Sequence, residues 1–424
     1  MDKLGGTAII PRMFGPVEAI AAAIRDRSAV PAVGWPLTRW RRALTPRLLP
    51  GPRLSSDGLP IVAGPASGAG PMRPADGGRL KAIQSFSYES AGAMVSWGHV
   101  EEMRVLLRPF SWDDLPTIVD LINRSDGADG LERGTSEQLL RSQWASPGVD
   151  PTRHAFLVEA EGDPVGFGRV DLRPGDDETG FSKVQCFGRV LPAWRDRGIG
   201  TRIMSECERR ALERLDEATT EVVYLEASAD QRQHDVAELL AAFGLRPARY
   251  FFDMMHQGGP LPRNPDLPAG YVSRTFAWGE DEEATWRVLD TSFRDHWGHT
   301  PFSYEHWLHW IRTGPFEADL VVLVEDPDGE VVGVCLCLID RETNARRGRE
   351  EGWIDALGVL KEQRRQGIGR SLLIEGMQRL RRSGCTHLLL GVDTENPTGA
   401  LGLYESVGFE KWKVEVTYQK RLRG

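Results

Sequence analysis

The feature that most constrains this chain is that it repeats itself. The stretch "RDRGIGTRIM", residues 195–204, returns as "RRQGIGRSLL", residues 364–373, with Gly198 and Gly367 169 positions apart (367 − 198). Each stretch follows an apolar, strand-like run and opens a helix of apolar period. A repeat of this length reads as two copies of one unit of roughly 150 residues, a size within the usual domain range. The chain is therefore expected to fold as two related α/β units within its 424 residues.

The rest of the sequence follows the same plan twice. From Met103 come a strand (103–109), the helix "WDDLPTIVDLIN", the hairpin "HAFLVEAEGDPVGFGRVDL", the strand "KVQCFGRVL" and the helix "TRIMSECERRALERL", then "EVVYLEAS" and the helix "DVAELLAAFG". Residues 256–270, "HQGGPLPRNPDLPAG", hold four prolines and three glycines and read as a linker. After it come "YVSRTF", "EEATWRVLDTSF", the hairpin "LVVLVEDPDGEVVGVCLCLI", "GWIDALGVL", "RSLLIEGMQRLRRSG", "HLLLGVD", "GALGLYESVG" and the closing strand "KVEVTYQKRL". The expected boundaries are 103–255 and 271–424, with 1–102 outside both copies.

That prefix contains 24 Gly and Pro among its first 100 residues and little periodicity beyond "PVEAIAAAIRD". It reads as a disordered extension, as a transit peptide, or as a start assigned too early, with Met103 the true beginning. Its charge is +6 (12 Lys/Arg, 6 Asp/Glu), whereas the remainder is −15 (40 against 55). An acidic body offers no general polyanion surface, so nucleic acid is not an expected partner. No apolar run is long enough to cross a bilayer, and five cysteines without paired CxxC spacing suit a reducing compartment, the cytoplasm.

A strand ending in Arg-x-x-Gly-x-Gly and running straight into a helix gathers unpaired backbone N–H groups at one spot. The helix dipole makes that spot favourable for anions, and glycines let a diphosphate approach the main chain. Leu372 and Ile203 stand where a dinucleotide fingerprint needs its third glycine, and no Lys-Ser/Thr of a triphosphate loop follows. A loop whose glycines merely make a tight turn is the competing reading, weakened by the occurrence of two copies.

"RRQGIG" and "RDRGIG", "LGVL" just before the second, and "NPTGALGLYESVGF" near the end together resemble the GNAT N-acetyltransferase superfamily. The tandem layout is similar to that of the mycothiol synthases. The resemblance implies two GNAT folds, each a mixed, largely antiparallel α/β sheet with splayed strands flanked by helices. It also implies acetyl-CoA as the acetyl donor. In the second copy the pantetheine would lie on Leu357, Gly358 and Val359. The diphosphate would lie on Arg364, Arg365, Gln366, Gly367, Ile368, Gly369 and Arg370, with Asn396 nearby. The corresponding cofactor loop of the first copy is Arg195, Arg197, Gly198, Ile199, Gly200 and Thr201.

Acetyl transfer needs a neutral amine, a stabilised oxyanion and a proton for the departing thiolate. An amine of pKa ~7.8 is roughly one-tenth neutral at pH 7, a lysine amine about once in 2,500 molecules, so a lysine acceptor would demand a stronger base; the expected acceptor is a primary amine of a small molecule. Tyr404 lies where the family places its tyrosine acid. Trp353 stands where the mycothiol synthase pattern has a Glu base; Glu351 and Asp355 flank it at period-two spacing and are the candidate bases, unless their charges are satisfied structurally. In the first copy Val184, Leu240 and Arg232 fall at the places of Trp353, Tyr404 and Asn396, so catalysis is expected in the second copy alone.

"FRDHWGHTPFSYEHWLHWI", 293–311, carries four of nine histidines and three of thirteen tryptophans. The HExxH order is absent, so no metal is expected. His296 and Trp297, with Trp353, are candidates for an acceptor pocket, against a simple helix-packing stripe. The rival to an enzyme is an acyl-CoA-binding regulator without catalysis; the acceptor's identity, including a cysteinyl amino-sugar, and the oligomeric state stay open.

Overall fold

The computed structural model describes residues 103–396 and 399–424. The expectations for 1–102 lie outside the described residues. The first copy runs β1 (Val105–Pro109), α1 (Leu115–Ala128), α2 (Glu137–Trp144), α3 (Pro151–His154), β2 (Ala155–Ala160), β3 (Asp163–Arg173), β4 (Phe181–Val190), α4 (Ile199–Glu213), β5 (Val222–Asp230), α5 (His234–Ala242) and β6 (Arg246–Gln257). The second runs β7 (Val272–Thr275), α6 (Glu282–Phe293), α7 (Tyr304–Thr313), β8 (Val321–Glu325), β9 (Val331–Leu338), α8 (Arg341–Arg347), β10 (Glu351–Val359), α9 (Ile368–Arg382), β11 (His387–Asp393), α10 (Ala400–Ser406) and β12 (Glu410–Arg423).

The short helices α2, α3 and α8 give too few turns for a periodic signal. Helix α7 begins where the Ser303 hydroxyl accepts from the His306 amide, and it buries Trp307, Trp310 and Ile311. That part of the histidine- and tryptophan-rich stretch is the helix-packing stripe.

The twelve strands among the described residues form one sheet, ordered β1-β2-β3-β4-β5-β12-β6-β11-β10-β9-β8-β7. Among the described strands only β4–β5 and β10–β11 are parallel. The sequence repeat suggests two separate sheets, but each copy hands its last strand to the other: β12 lies between β5 and β6, and β6 pairs with β11. The exchange leaves neither β5 nor β11 as an open edge.

Helices α9 and α10 pack on one face of the second copy's strands, around Ile354, Leu357, Leu372 and Tyr404. Helices α6 and α7 pack on the other, around Trp353, Ala356, Val288 and Trp307. Each fully buried Leu or Val contributes about 1.5–3 kcal/mol. Gly376 lets α9 sit close to β9: a Cβ there would stand 2.6 Å from the Cys335 sulfur and 3.0 Å from that of Cys337. All five cysteines are buried free thiols.

Candidate active site

Strands β10 and β11 part soon after they meet. They pair only through Glu351, Gly352 and Trp353 with His387, Leu388 and Leu389. Beyond that point β10 keeps β9 on one side, while β11 stays with β6. The result is a wedge whose β10 wall carries the main-chain groups of Leu357, Gly358 and Val359. Gly358 keeps that wall close to α6: a Cβ would lie 3.1 Å from the Ser292 hydroxyl, and the helix would have to give by a few tenths of an ångström. The first copy opens similarly, with β4 and β5 paired only over 181–185 and 222–226.

A bulge distinguishes the two wedges. The β9–β10 register shifts between Ile354 and Ala356, leaving Asp355 as the extra residue, whereas β3–β4 runs unbroken from Gly166↔Val190 to Arg173↔Lys183. The bulge interrupts the alternation on which the shared face of Glu351, Trp353 and Asp355 was expected. Trp353 and Ala356 pack towards α6 and α7, Ile354 and Leu357 towards α9, and Asp355, at the bulge itself, is buried.

At the wide end of each wedge the glycine loops have the same backbone. Arg365 (φ 66°) and Gly367 (φ 87°) are left-handed in one, Asp196 (φ 58°) and Gly198 (φ 76°) in the other. Alternating handedness turns successive N–H groups towards one point, a shape that suits an anion. The first helical bonds run from the Ser371 amide to the Gly367 carbonyl (3.0 Å) and from Arg202 to Gly198 (3.1 Å). The amides of Ile368, Gly369 and Arg370, and of Ile199, Gly200 and Thr201, therefore lie in the unpaired first turn.

The first arginine of each motif is turned inward. Arg364 donates to the carbonyls of Val359 (2.9 Å) and Ser292 (3.2 Å). Arg195 donates to Val190 (3.2 Å), to the Ser125 hydroxyl (2.8 Å) and to Asp129 (2.5 Å). These side chains lock the strand end against the first helix, and both arginines are engaged with protein groups in place of the diphosphate contact expected of them. Gln366 leans on Gln363 (3.2 Å), Arg370 on Ser406 (2.6 Å), and Arg197 stacks over Trp194 (5.0 Å).

Tyr404 is fully buried against Phe409, and its hydroxyl has no hydrogen-bond partner among the described residues. Burial, then the neighbouring Cys335, hold its phenol well above the ordinary tyrosine range. Asn396 closes a turn on Asp393, its amide 3.2 Å from that carbonyl. In the first copy Leu240 and Val184 are buried apolar residues of the core, and Arg232 pairs with Asp230 (2.8 Å).

Glu351 sits at the closed end of the wedge, 4% exposed and clamped by Arg347 (2.9 Å) and Arg349. Its charge is satisfied structurally. His296, at the exit of α6, is buried against the Phe293 ring (4.7 Å between centroids), and both ring nitrogens lack partners among the described residues. Burial, with smaller contributions from His299 and Arg364, brings its imidazole down to about 3. Trp297 packs on Phe251 (6.1 Å) beneath the Arg249 guanidinium (5.4 Å). His309 bonds to the Ser142 carbonyl (2.9 Å), and no group of His, Cys, Asp and Glu among the described residues could hold a metal ion.

The copies also cross over each other through their first loops. Arg133, after α1, pairs with Glu415 on β12 (2.7 Å), and Lys413 donates to the Glu132 carbonyl (3.1 Å). In return Lys183 on β4 donates to the Gly298 carbonyl (3.1 Å) after α6. Sequence reading had no signal for these residues, because each partner lies in the other copy.

The model of the acetyltransferase (GNAT) family matches residues 115–243 and 282–409. A mycothiol acetyltransferase of Thermobispora bispora is 30% identical over 309 residues, 72% of this chain and 96% of that protein. One of Saccharomonospora viridis is 30% identical, over 72% and 94%. Among solved structures, a GCN5-related N-acetyltransferase from Sphaerobacter thermophilus superposes with a TM-score of 0.59 at 28% identity, covering 76% of this chain and 96% of that one. A tandem GNAT protein from the clavulanic acid biosynthesis pathway shares the fold, with a TM-score of 0.56 at 16% identity over 75% and 98%. With its duplicated wedge and glycine loop, this chain belongs to the GNAT acetyltransferase family and is an N-acetyltransferase of tandem layout.

Proposed function

We propose that the chain moves the acetyl group of acetyl-CoA to a primary amine of a small molecule, by direct attack in a ternary complex, in the second copy. The observation that carries this reading is the hydroxyl of Tyr404, buried and without a partner among the described residues. A buried polar group without a partner costs about 1–3 kcal/mol. A ligand sulfur in the wedge would receive its hydrogen bond.

The pantetheine lies along β10 at Leu357, Gly358 and Val359, and the diphosphate rests on the amides of the loop 365–370. The amine attacks the thioester carbonyl, the C–S bond breaks, and the departing sulfur takes the Tyr404 proton. A phenol raised by burial still serves, because the same dry site also raises the thiolate. The amine proton leaves through Asp355 or water, since Glu351 is held by two arginines. His296, Trp297 and Trp353 form the acceptor wall.

The first copy's loop is the weaker diphosphate site: Asp196 stands where the second has Arg365, and Asp129 neutralises Arg195. The similarity to mycothiol acetyltransferases keeps a cysteinyl amino-sugar among the candidate acceptors, while Trp353, at the place where the mycothiol synthase pattern has a Glu, argues for a different amine. The protein works in the cytoplasm, in keeping with its buried free thiols. The test is thiol release from acetyl-CoA with a panel of amines, cysteinyl amino-sugars included, at matched concentrations. Acceptor-dependent release supports the reading; binding of acetyl-CoA without release by any amine would replace it with the regulator.

A further inference from the structure

The first copy has neither the tyrosine nor the bulge, yet its sheet contains a buried ammonium. Lys183 on β4 has no exposed surface. Its Nζ lies 3.8 Å from Glu226 on β5, itself 1% exposed. Glu226 accepts from Gln185 (2.9 Å) and from Gln419 (2.8 Å), which arrives on the exchanged strand β12. Burying an ammonium costs several kcal/mol unless it is paired and its protons are accepted. Here the carboxylate supplies the charge, and the loop of the other copy supplies a carbonyl: Gly298 O at 3.1 Å.

Gly298 is left-handed (φ 73°) and sits two residues after His296 and one after Trp297. Among the described residues the first copy also grips the same loop elsewhere: Phe251 and Arg249 hold the Trp297 indole, and Glu178 lies 3.5 Å from Arg294. The Lys183 contact is fully buried, whereas the Glu178–Arg294 pair is exposed, so loss of the Lys183 contact is the less replaceable by water.

We infer that Lys183 is a positioning residue for acetyl transfer in the opposite copy: by fixing the Gly298 carbonyl it sets the His296 imidazole and Trp297 indole beside the β10 wedge. The N-terminal copy then serves the reaction without catalysing it, as the anchor of the acceptor loop. This rests on the reading of His296 and Trp297 as the acceptor wall.

The test compares full-length Lys183→Met and Lys183→Arg with the unaltered protein in three measurements: hydrogen exchange of amides 294–300, acceptor KM and kcat, and acetyl-CoA Kd. Loss of one charge-assisted bond predicts exchange and acceptor KM each raised about tenfold in Lys183→Met, with acetyl-CoA Kd held within about twofold and Lys183→Arg partly restored. Unchanged exchange at 294–300 overturns the anchor. Loss of protection spread equally through β3, β4 and β5 marks a purely structural lysine and also overturns it. Faster loop exchange with unchanged acceptor KM overturns the positioning role while leaving acetyl transfer intact. If the unaltered protein transfers no acetyl group, the functional reading fails, and the exchange measurement alone judges the anchor.

Discussion

Tyr404 and Leu240 occupy the same place in the two copies. Each is buried, and each closes its helix through the same bond, Phe409 N–H to the Tyr404 carbonyl and Leu245 N–H to the Leu240 carbonyl, both 3.0 Å. One site thus carries a hydroxyl with no partner among the described residues and the other a methyl-bearing side chain of the core.

Tyr404→Phe separates stability from chemistry. Removing an unsatisfied hydroxyl should leave stability unchanged or raise it by up to about 1 kcal/mol, while losing the acid lowers kcat about 10²-fold or more. Acetyl-CoA Kd should move little. Thermal unfolding, titration calorimetry and direct thiol release on one preparation check all three; a kcat equal to that of the unaltered protein removes Tyr404 from the mechanism.

The two glycine loops can be compared by one substitution each. At Gly198 and Gly367 a Cβ would meet nothing within 4 Å, so an alanine there strains only the left-handed backbone. That strain is about 1–2 kcal/mol per residue, enough to shift the loop amides. Gly367→Ala should weaken acetyl-CoA binding and kcat/KM about tenfold, and Gly198→Ala should leave kcat/KM within about twofold. Equal losses from both variants would mean that both copies take part in turnover.

Much of this is legible in the sequence alone. The duplicated strand, glycine turn and helix, the hairpins, and Tyr404 at its spacing from Asn396 are local patterns, and local patterns survive in sequence. The exchange of β6 and β12 was not legible, because either strand's alternation fits equally well beside its own copy or the other. Nor was the bulge at Asp355: one extra residue resets the two-residue period without leaving a mark in composition. Lys183 and Arg133 lie where each copy meets the other, and their partners are 115 residues (Gly298) and 282 residues (415 − 133, Glu415) further along the chain.

Glu351 should prove structural. Glu351→Gln leaves Arg347 and Arg349 short of a buried counter-charge, a loss of about 3 kcal/mol in stability with kcat of the folded fraction preserved. Denaturant unfolding beside initial rates per active site distinguishes the alternatives. A kcat reduced about 10²-fold at unaltered stability would instead make Glu351 the base.

The histidines of the acceptor loop and of α7 set an acid limit. His296 is brought down to about 3 and His306, chiefly by burial, to about 4. An unfolded histidine titrates near ~6.5, so below that pH the unfolded chain binds protons that the folded one refuses. Stability therefore falls as the pH drops from about 6.5, by about 1.4 kcal/mol per pH unit for each such group, until the folded pKa is reached; above pH ~6.5 neither group adds a slope. His296→Gln cannot take the proton, and should make the dependence shallower by about one proton between pH ~6 and ~4.5. Urea unfolding across that range measures the slope directly, and a His296→Gln slope identical to that of the unaltered protein would show that the imidazole is already solvated and charged in the folded state.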